Sequence, residues 1–182
     1  MARNTVSRTL HDVGLAAWFG GTLANAVALN AAAAEAGSAS DTGRVANAGW
    51  DRWTPVNAVA IGVHLVGSVG QLAANRSRVR TQAGVGSMVV VKTALTGAAL
   101  GATAYSRMLG AKVSQHRNVP AQSATEPTTS TPTEVADAQR QLAVLQWAIP
   151  ALTGALVAVT SFAGEQQRAS EVHKGVAARL GR

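Results

Sequence analysis

Long apolar runs alternate with short polar connections along this chain. Four runs, at about 12–34, 54–74, 83–106 and 141–163, are each close to the roughly 20 residues that cross a bilayer core as a helix. The last helix is expected to begin near residue 132 and to run to about 168, because Thr131, Pro132 and Glu134 have the residue types and spacing of a helix N-terminus. The pattern predicts an all-α fold: a single integral membrane domain over residues 1–182 that forms a four-helix bundle.

The connections between these predicted helices differ in kind. Residues 75–82 predict a tight turn, which would make the second and third helices antiparallel neighbours. The first outer connection suits a short interfacial helix. The segment at about 113–131 is rich in Pro, Ser and Thr and predicts a flexible outer loop. Pro150 lies inside the fourth helix, which should extend on the outer side, and is expected to kink it.

Composition and charge support the membrane interpretation. Only 14% of the residues are charged, against about 25% in soluble domains. Lysine and arginine concentrate in the N-terminal tail, in the 75–82 turn and in a basic tail at about 168–182, so the positive-inside rule places both termini in the cytoplasm. The net charge of +7 lies beside the predicted spans, which favours contact with anionic lipid at the cytoplasmic face and no nucleic acid.

Polar residues recur at helical spacing inside the predicted spans. His64 and Lys92 each lie fourteen residues from Arg78 in the turn, so both reach a similar depth near the bilayer midplane. The same kind of spacing adds three further residues to the predicted ligand- or partner-binding set: Asn25, Asn57 and Thr96. The bundle interior is therefore expected to be partly polar.

Glycines mark the positions where helices are predicted to pack closely. Gly97 and Gly101 form a GxxxG step on the third helix, and Gly20 and Gly21 follow Trp18 on the first.

Lys92 is the most costly residue in this arrangement. A lysine at the bilayer centre costs about 2.5 to 3.5 kcal/mol on insertion scales. All acidic residues lie in tails, connections or helix ends, so no carboxylate of the chain is expected at its depth. In the simplest case, Lys92 extends toward the cytoplasm, donates to backbone carbonyls and to Asn or Thr side chains, or stays neutral. Alternatively, it pairs with a carboxylate of a partner subunit, or it binds an anionic ligand such as a lipid headgroup or other amphiphile.

Metal and catalytic signals are weak. His64 is a candidate ligand for a metal ion or haem, but the other histidines, His11, His116 and His173, fall at helix ends or in tails. The chain has no cysteine, and no nucleophilic triad, phosphate loop or zinc signature is present in the sequence. We therefore predict no enzymatic activity, no cofactor and no metal site.

Three phrases, LHDVGLAAWFGGTL, RWTPVN and LQWAIPALTGALV, make the whole chain resemble a set of small multi-pass membrane proteins of actinobacteria. This resemblance implies a bacterial inner (plasma) membrane protein. His11 followed by Trp18, Gly20 and Gly21 is also similar to the first-helix pattern of copper-resistance D-like four-helix membrane proteins, over about one helix. The second resemblance implies the bundle rather than an activity.

Two classes of function remain. The first is a non-enzymatic accessory or scaffold subunit that docks onto a larger envelope or respiratory membrane complex, with Lys92 and the small-residue helix faces at the contact. The alternative is a binder or carrier of a small amphiphile, a lipid or quinone, in the bundle interior beside His64 and Lys92. Metal or haem handling through His64 is the lesser alternative.

Overall fold

Helices dominate the computed structural model, which describes residues 4–116, 120–165 and 168–181. The all-α prediction is confirmed, with one small hairpin added. The elements are α1 (Thr5–Ala24), a π-helical turn (Asn25–Leu29), α2 (Asn30–Ala34), α3 (Ala39–Thr81), α4 (Val85–Gln115), β1 (Ala121–Ser123), β2 (Glu126–Pro127), α5 (Thr133–Glu165) and α6 (Ala169–Leu180).

Four helical stretches of the described chain are long and apolar enough to cross a membrane. They are Thr5–Ala34, Ala39–Ala74, Val85–Gln115 and Thr133–Glu165. Three of them contain the predicted apolar runs in full, and Val85–Gln115 contains the run at 83–106 except for its first two residues. The fourth helix was predicted to run to about 168, but α5 ends at Glu165, and residues 166–167 lie outside the described residues.

The tightest contact in the fold is the crossing of α1 and α3. A Cβ atom added at Gly14 would lie 2.5 Å from the backbone oxygen of Ala60 and 2.5 Å from the backbone nitrogen of His64. One added at Gly67 would collide with the backbone of His11. The two glycines therefore let the helix backbones approach closely at two successive points.

The remaining long helices are arranged around this pair. Helix α1 also packs against α5, and α5 packs along α4. Tyr105 of α4 bonds to Gln141 of α5, and Lys112 of α4 lies 2.7 Å from the Glu134 carboxylate of α5. The order of contacts is thus α3, α1, α5, α4.

Helices α3 and α4 are joined by a tight turn but separate beyond it. Gly84 begins α4 with φ of +83°, a left-handed conformation that favours glycine and allows the chain to reverse within residues 82–84. The sequence predicted that these helices would be close neighbours. They share few contacts, and a cleft lies between them, because α1 and α5 occupy the packing faces of α3 and α4 instead.

Helix α3 is much longer than the predicted span at 54–74. Its 43 residues extend about 64 Å at 1.5 Å per residue, and they include the whole segment for which a separate interfacial helix was expected. Ser38 caps the start by accepting a hydrogen bond from the backbone N–H of Asp41 at 3.2 Å. Pro55 is accommodated inside the helix without ending it.

The outer segment predicted as a flexible loop at 113–131 is folded in most of its described part. Helix α4 continues to Gln115, and β1 pairs with β2 as a short antiparallel hairpin that contacts α3 and α5. The Thr131 hydroxyl donates to the Pro120 carbonyl at 2.6 Å and accepts from the Thr128 N–H at 2.9 Å. The Thr131 hydroxyl thus provides hydrogen bonds for backbone groups of this segment, which is why a segment rich in Pro, Ser and Thr can fold here.

The basic tail predicted at about 168–182 contains helix α6. The Ala83 N–H donates to the Gly175 carbonyl at 3.1 Å, so α6 rests on the turn between α3 and α4. The Glu171 carboxylate, 2.9 Å from Lys174 Nζ, raises the pKa of that lysine. The tail is therefore an ordered basic element next to the turn.

A hydrogen-bond network joins the opposite end of the bundle. The Asn30 amide donates to the Gln146 side chain at 2.6 Å and accepts from the Trp50 indole N–H at 3.1 Å. Gln146 in turn donates to the Thr125 hydroxyl at 3.3 Å. This network ties α2, α3, α5 and the hairpin together at one point.

Pro150 is buried within α5, and Thr153 donates to the carbonyls of Ile149 at 2.8 Å and Pro150 at 3.3 Å. The helix continues past the proline. The kink at this position stays a prediction.

We expect Gly67→Ala to lower the free energy of unfolding by about 1 to 3 kcal/mol, because the new methyl group would overpack the α1–α3 crossing. Gly62→Ala is the matched control on the same helix, since a Cβ atom there meets nothing within 4 Å. Thermal unfolding of both purified variants in detergent measures the difference. Equal melting temperatures for the two variants would contradict the close crossing.

We expect Asn30→Leu to cost about 1 to 3 kcal/mol, because it leaves the half-buried Gln146 side-chain oxygen and the half-buried Trp50 indole N–H without the partner they share. Asn25→Leu is the control, since the Asn25 amide donates only within its own helix, to the Gly21 carbonyl at 2.9 Å. Chemical unfolding followed by tryptophan fluorescence measures both. If Asn25→Leu were the more damaging change, the network would not hold this end of the bundle.

Candidate ligand-binding cleft

The space between α3 and α4 is a cleft with two halves that meet at Leu100. The inner half, next to the 82–84 turn, is a cavity of about 420 Å³. The outer half, next to Trp50, is a cavity of about 290 Å³. The turn bounds the cleft at one end, and the Arg107 guanidinium, 3.4 Å from the Asp51 carboxylate, bridges the two helices towards the other.

The surface of the cleft is mainly apolar, although polar residues line it at several positions. Apolar residues of the inner half include Leu65, Val69, Leu72, Val85, Val89 and Leu100. Eight polar residues line the same half: His11, Ser68, Gln71, Asn75, Arg78, Lys92, Thr93 and Thr96. An apolar groove with a few polar groups is the usual form of a site for a small hydrophobic ligand.

His11 and His64 lie side by side where α1 crosses α3. Their ring centroids are 4.5 Å apart, and both side chains are almost fully buried, with 1% and 0% exposure. The Nδ1 atom of His11 is 2.7 Å from the Asp12 carboxylate, and the Nδ1 atom of His64 is 3.1 Å from the His11 carbonyl oxygen. Trp18 covers the pair, with its ring centroid 6.1 Å from that of His64.

Lys92 faces this histidine pair from the other side of the cleft. It interacts electrostatically with His11, His64 and Asp12, although within the described residues it forms no hydrogen bond or ion pair. The sequence predicted no carboxylate near Lys92. Asp12 interacts with Lys92 because α1 begins at Thr5, which places His11 and Asp12 well inside the helix rather than at its predicted start near residue 12.

Buried polar atoms without partners concentrate along the cleft. Among the described residues, nine buried side-chain atoms have no hydrogen-bond partner, and five of these belong to residues that line the cleft. Those five residues are His11, Trp53, Asn57, Gln71 and Thr103. A buried polar atom without a partner costs free energy, so these atoms favour a bound molecule with polar groups.

The predicted polar residues divide between the cleft and the helix interior. Lys92 and Thr96 line the inner half, and Asn57 lines the outer half. His64 lies behind His11 at the α1–α3 crossing. Asn25 begins the π-helical turn and bonds only to its own helix, so the structure does not bring it to the cleft.

The predicted packing glycines behave unequally. A Cβ atom at Gly21 would collide with the Trp53 ring, which agrees with a packing role. At Gly20, Gly97 and Gly101 it would meet nothing within 4 Å among the described residues, so these three positions do not mediate packing within the described chain.

Gly14 and Gly67, which the sequence analysis missed, fill the packing role instead. Their signal is present in the sequence as two related tetrapeptides, HDVG at 11–14 and HLVG at 64–67. In the antiparallel pair, each glycine lies against the backbone of the other tetrapeptide's histidine. The sequence analysis also missed the roles of Asp12 and Asn30. Neither residue belongs to a row of polar residues at helical spacing, so the pattern along a single helix does not identify it.

The histidine geometry does not suit haem. Metal–imidazole bonds are about 2.0 to 2.1 Å long, so two histidines on opposite sides of one iron would have ring centroids about 6 Å apart. The observed separation is 4.5 Å. Within the described part of the chain, no group of three or more His, Cys, Asp or Glu side chains could hold a metal ion.

Comparisons with known proteins give no further guidance. The chain matches no protein-family model, and no curated protein or solved structure shows significant similarity to it.

Proposed function

We propose that this chain is a multi-pass membrane protein that binds or carries a small amphiphile, such as a lipid or quinone, in the cleft between α3 and α4. The main observation that supports this proposal is the cleft. Its apolar walls suit a hydrocarbon tail, and Lys92 and His11 supply polar contacts for a head group within the inner half.

The distribution of polarity supports a membrane location. Many large apolar side chains are exposed on the long helices, including Val59, Val66, Val90, Val144 and Phe162. Polar side chains such as His64, Gln139 and Thr153 are buried instead. Water would disfavour this exterior, whereas hydrocarbon accepts it, and we propose the bacterial plasma membrane as the site.

The charges favour an orientation with both termini in the cytoplasm. Three arginines lie near the end of α3, at Arg76, Arg78 and Arg80, and the basic helix α6 rests on the adjacent turn. Basic residues in short connections face the cytoplasm and bind anionic lipid there.

Single-cysteine variants test this orientation cleanly, because the natural chain contains no cysteine. Ser40 and Ser77 are both exposed on α3, and 37 residues of helix separate them by about 56 Å, more than the 40 to 45 Å of a whole bilayer. We expect a membrane-impermeant maleimide to label Ser40→Cys in intact spheroplasts and Ser77→Cys only after the membrane is opened. Labelling of Ser77→Cys in intact spheroplasts would reverse the orientation.

The ligand proposal is tested by filling the cleft. We expect the wild-type protein, purified in mild detergent, to retain an amphiphile at close to one molecule per chain, and Leu100→Trp to lose most of it. Leu100 lines both halves, so a larger ring there obstructs the cleft. Lipid extraction followed by mass spectrometry provides the measurement.

Val90→Trp is the matched control, because Val90 lies on the same helix with 67% of its surface exposed and is not part of the cleft wall. Both variants must keep the wild-type melting behaviour. Retention of the same amphiphile by Leu100→Trp, or a wild-type extract with no enriched amphiphile, would count against the cleft as a binding site.

A second candidate function, an accessory subunit of a larger membrane complex, is favoured by one observation. Gly101 is exposed on α4 with open space around it, which suits a closely packed helix from another protein. Under this proposal, Gly101→Ile removes a co-purifying partner and leaves the bound amphiphile unchanged. Gly97 is kept in this test because it lines the inner half of the cleft.

A further inference from the structure

The hydrogen bonds of His11 fix which of its ring nitrogens carries a proton. The Asp12 carboxylate, 2.7 Å from Nδ1, can only accept, so Nδ1 is the donor. In the neutral ring, Nε2 then carries a lone pair. Arg8 lies 3.7 Å from the other Asp12 oxygen and pairs with the same carboxylate.

His64 is fixed in the same way. Its Nδ1 atom is 3.1 Å from the His11 carbonyl oxygen, which can only accept, so its Nε2 atom also carries a lone pair in the neutral ring. Both rings are buried in an apolar interface beside Lys92, and a further positive charge there would be repelled. Both Nε2 atoms are buried without a partner in the described structure.

An acceptor and a donor therefore belong to two residues that line the inner half of the cleft. His11 and Lys92 both line this cavity, and His64 supports His11 from behind. A hydroxyl group satisfies both residues at once, because its hydrogen can be donated to Nε2 while its oxygen accepts from the lysine. A quinone carbonyl or a fully ionised phosphate can only accept, and it would leave the imidazole lone pair unsatisfied.

Imidazoles anchored through Nδ1 in this manner are also found at metal sites. The charge beside them argues against a cation here, because Lys92 interacts electrostatically with both rings. Binding of a metal ion at His11 would therefore contradict a hydroxyl-bearing ligand at this position.

We infer that the head group bound in the inner half of the cleft carries a hydroxyl group, as a quinol or a diacylglycerol does, with His11 as hydrogen-bond acceptor and Lys92 as donor. This inference rests on the proposed function, since it names the chemistry of the ligand in the same cleft. His64 is a positioning residue that holds His11 through its carbonyl.

The test uses two matched pairs of probes on delipidated full-length protein in mild detergent. The first pair is a decyl-substituted benzoquinol and its quinone, mixed in equal amounts without oxygen. The second is a diacylglycerol and the phosphatidic acid with the same acyl chains. After re-isolation and extraction, we expect the hydroxyl-bearing member of at least one pair to be enriched about three- to tenfold, as expected for one hydrogen bond.

His11→Phe should bring that ratio close to one, because phenylalanine keeps a ring but removes the acceptor. His116→Phe is the control at the exposed end of α4 and should keep the wild-type ratio. If His11→Phe does not fold, Asp12→Leu replaces it. That variant removes the carboxylate that fixes the His11 proton, and it should lower the enrichment.

The outcomes separate this inference from the proposed function. Preference for the quinone or the phosphatidic acid overturns the hydroxyl inference but leaves the cleft as an amphiphile site. An enrichment that is unchanged in His11→Phe or Asp12→Leu also overturns the hydroxyl inference and leaves the cleft as an amphiphile site. A stoichiometric metal ion that is lost in His11→Phe has the same consequence. If none of the four probes is retained, and no native amphiphile distinguishes the wild type from Leu100→Trp, both proposals fail.

Discussion

The close approach of α1 and α3 is the contact on which the rest of the structure depends. Gly14 and Gly67 leave no room for a methyl group between the two backbones, so the helices are held in one register. That register places the His11 ring against the His64 ring and brings Asp12 within electrostatic reach of Lys92. In lipid, where apolar burial between helices gives little driving force, such tight packing is the main source of a defined geometry.

The cleft follows from how the packing surfaces are distributed. Helix α1 is covered by α3 and α5, and α4 is covered by α5, so the two helices of the α3–α4 hairpin have no large complementary faces left for each other. The turn at residues 82–84 and the Arg107–Asp51 pair hold them together near their ends. Several buried polar atoms of the residues that line this space have no hydrogen-bond partner in the described structure. A bound ligand with polar groups could supply these partners, which is why the cleft supports a ligand-binding function.

Lys92 lies at the point where the two candidate functions differ. In the described structure Asp12 is the one carboxylate that attracts its ammonium electrostatically, and Arg8 opposes that attraction, so little offsets the cost of its position in a membrane. A ligand in the cleft and a partner subunit on α4 would both lower that cost. The ligand explains more of the structure, because the same cleft also contains the unpartnered atoms of His11 and Gln71.

The sequence by itself determined the helices, because hydropathy and helical spacing are local properties of the chain. It located the four apolar spans, and it identified Gly21 as a packing position. Only the tertiary structure decided which helix faces meet. Gly97 and Gly101 form the stronger local motif but remain open, whereas Gly14 and Gly67 close the α1–α3 crossing, since a packing contact requires complementary surfaces on two helices and one helix encodes only half of it.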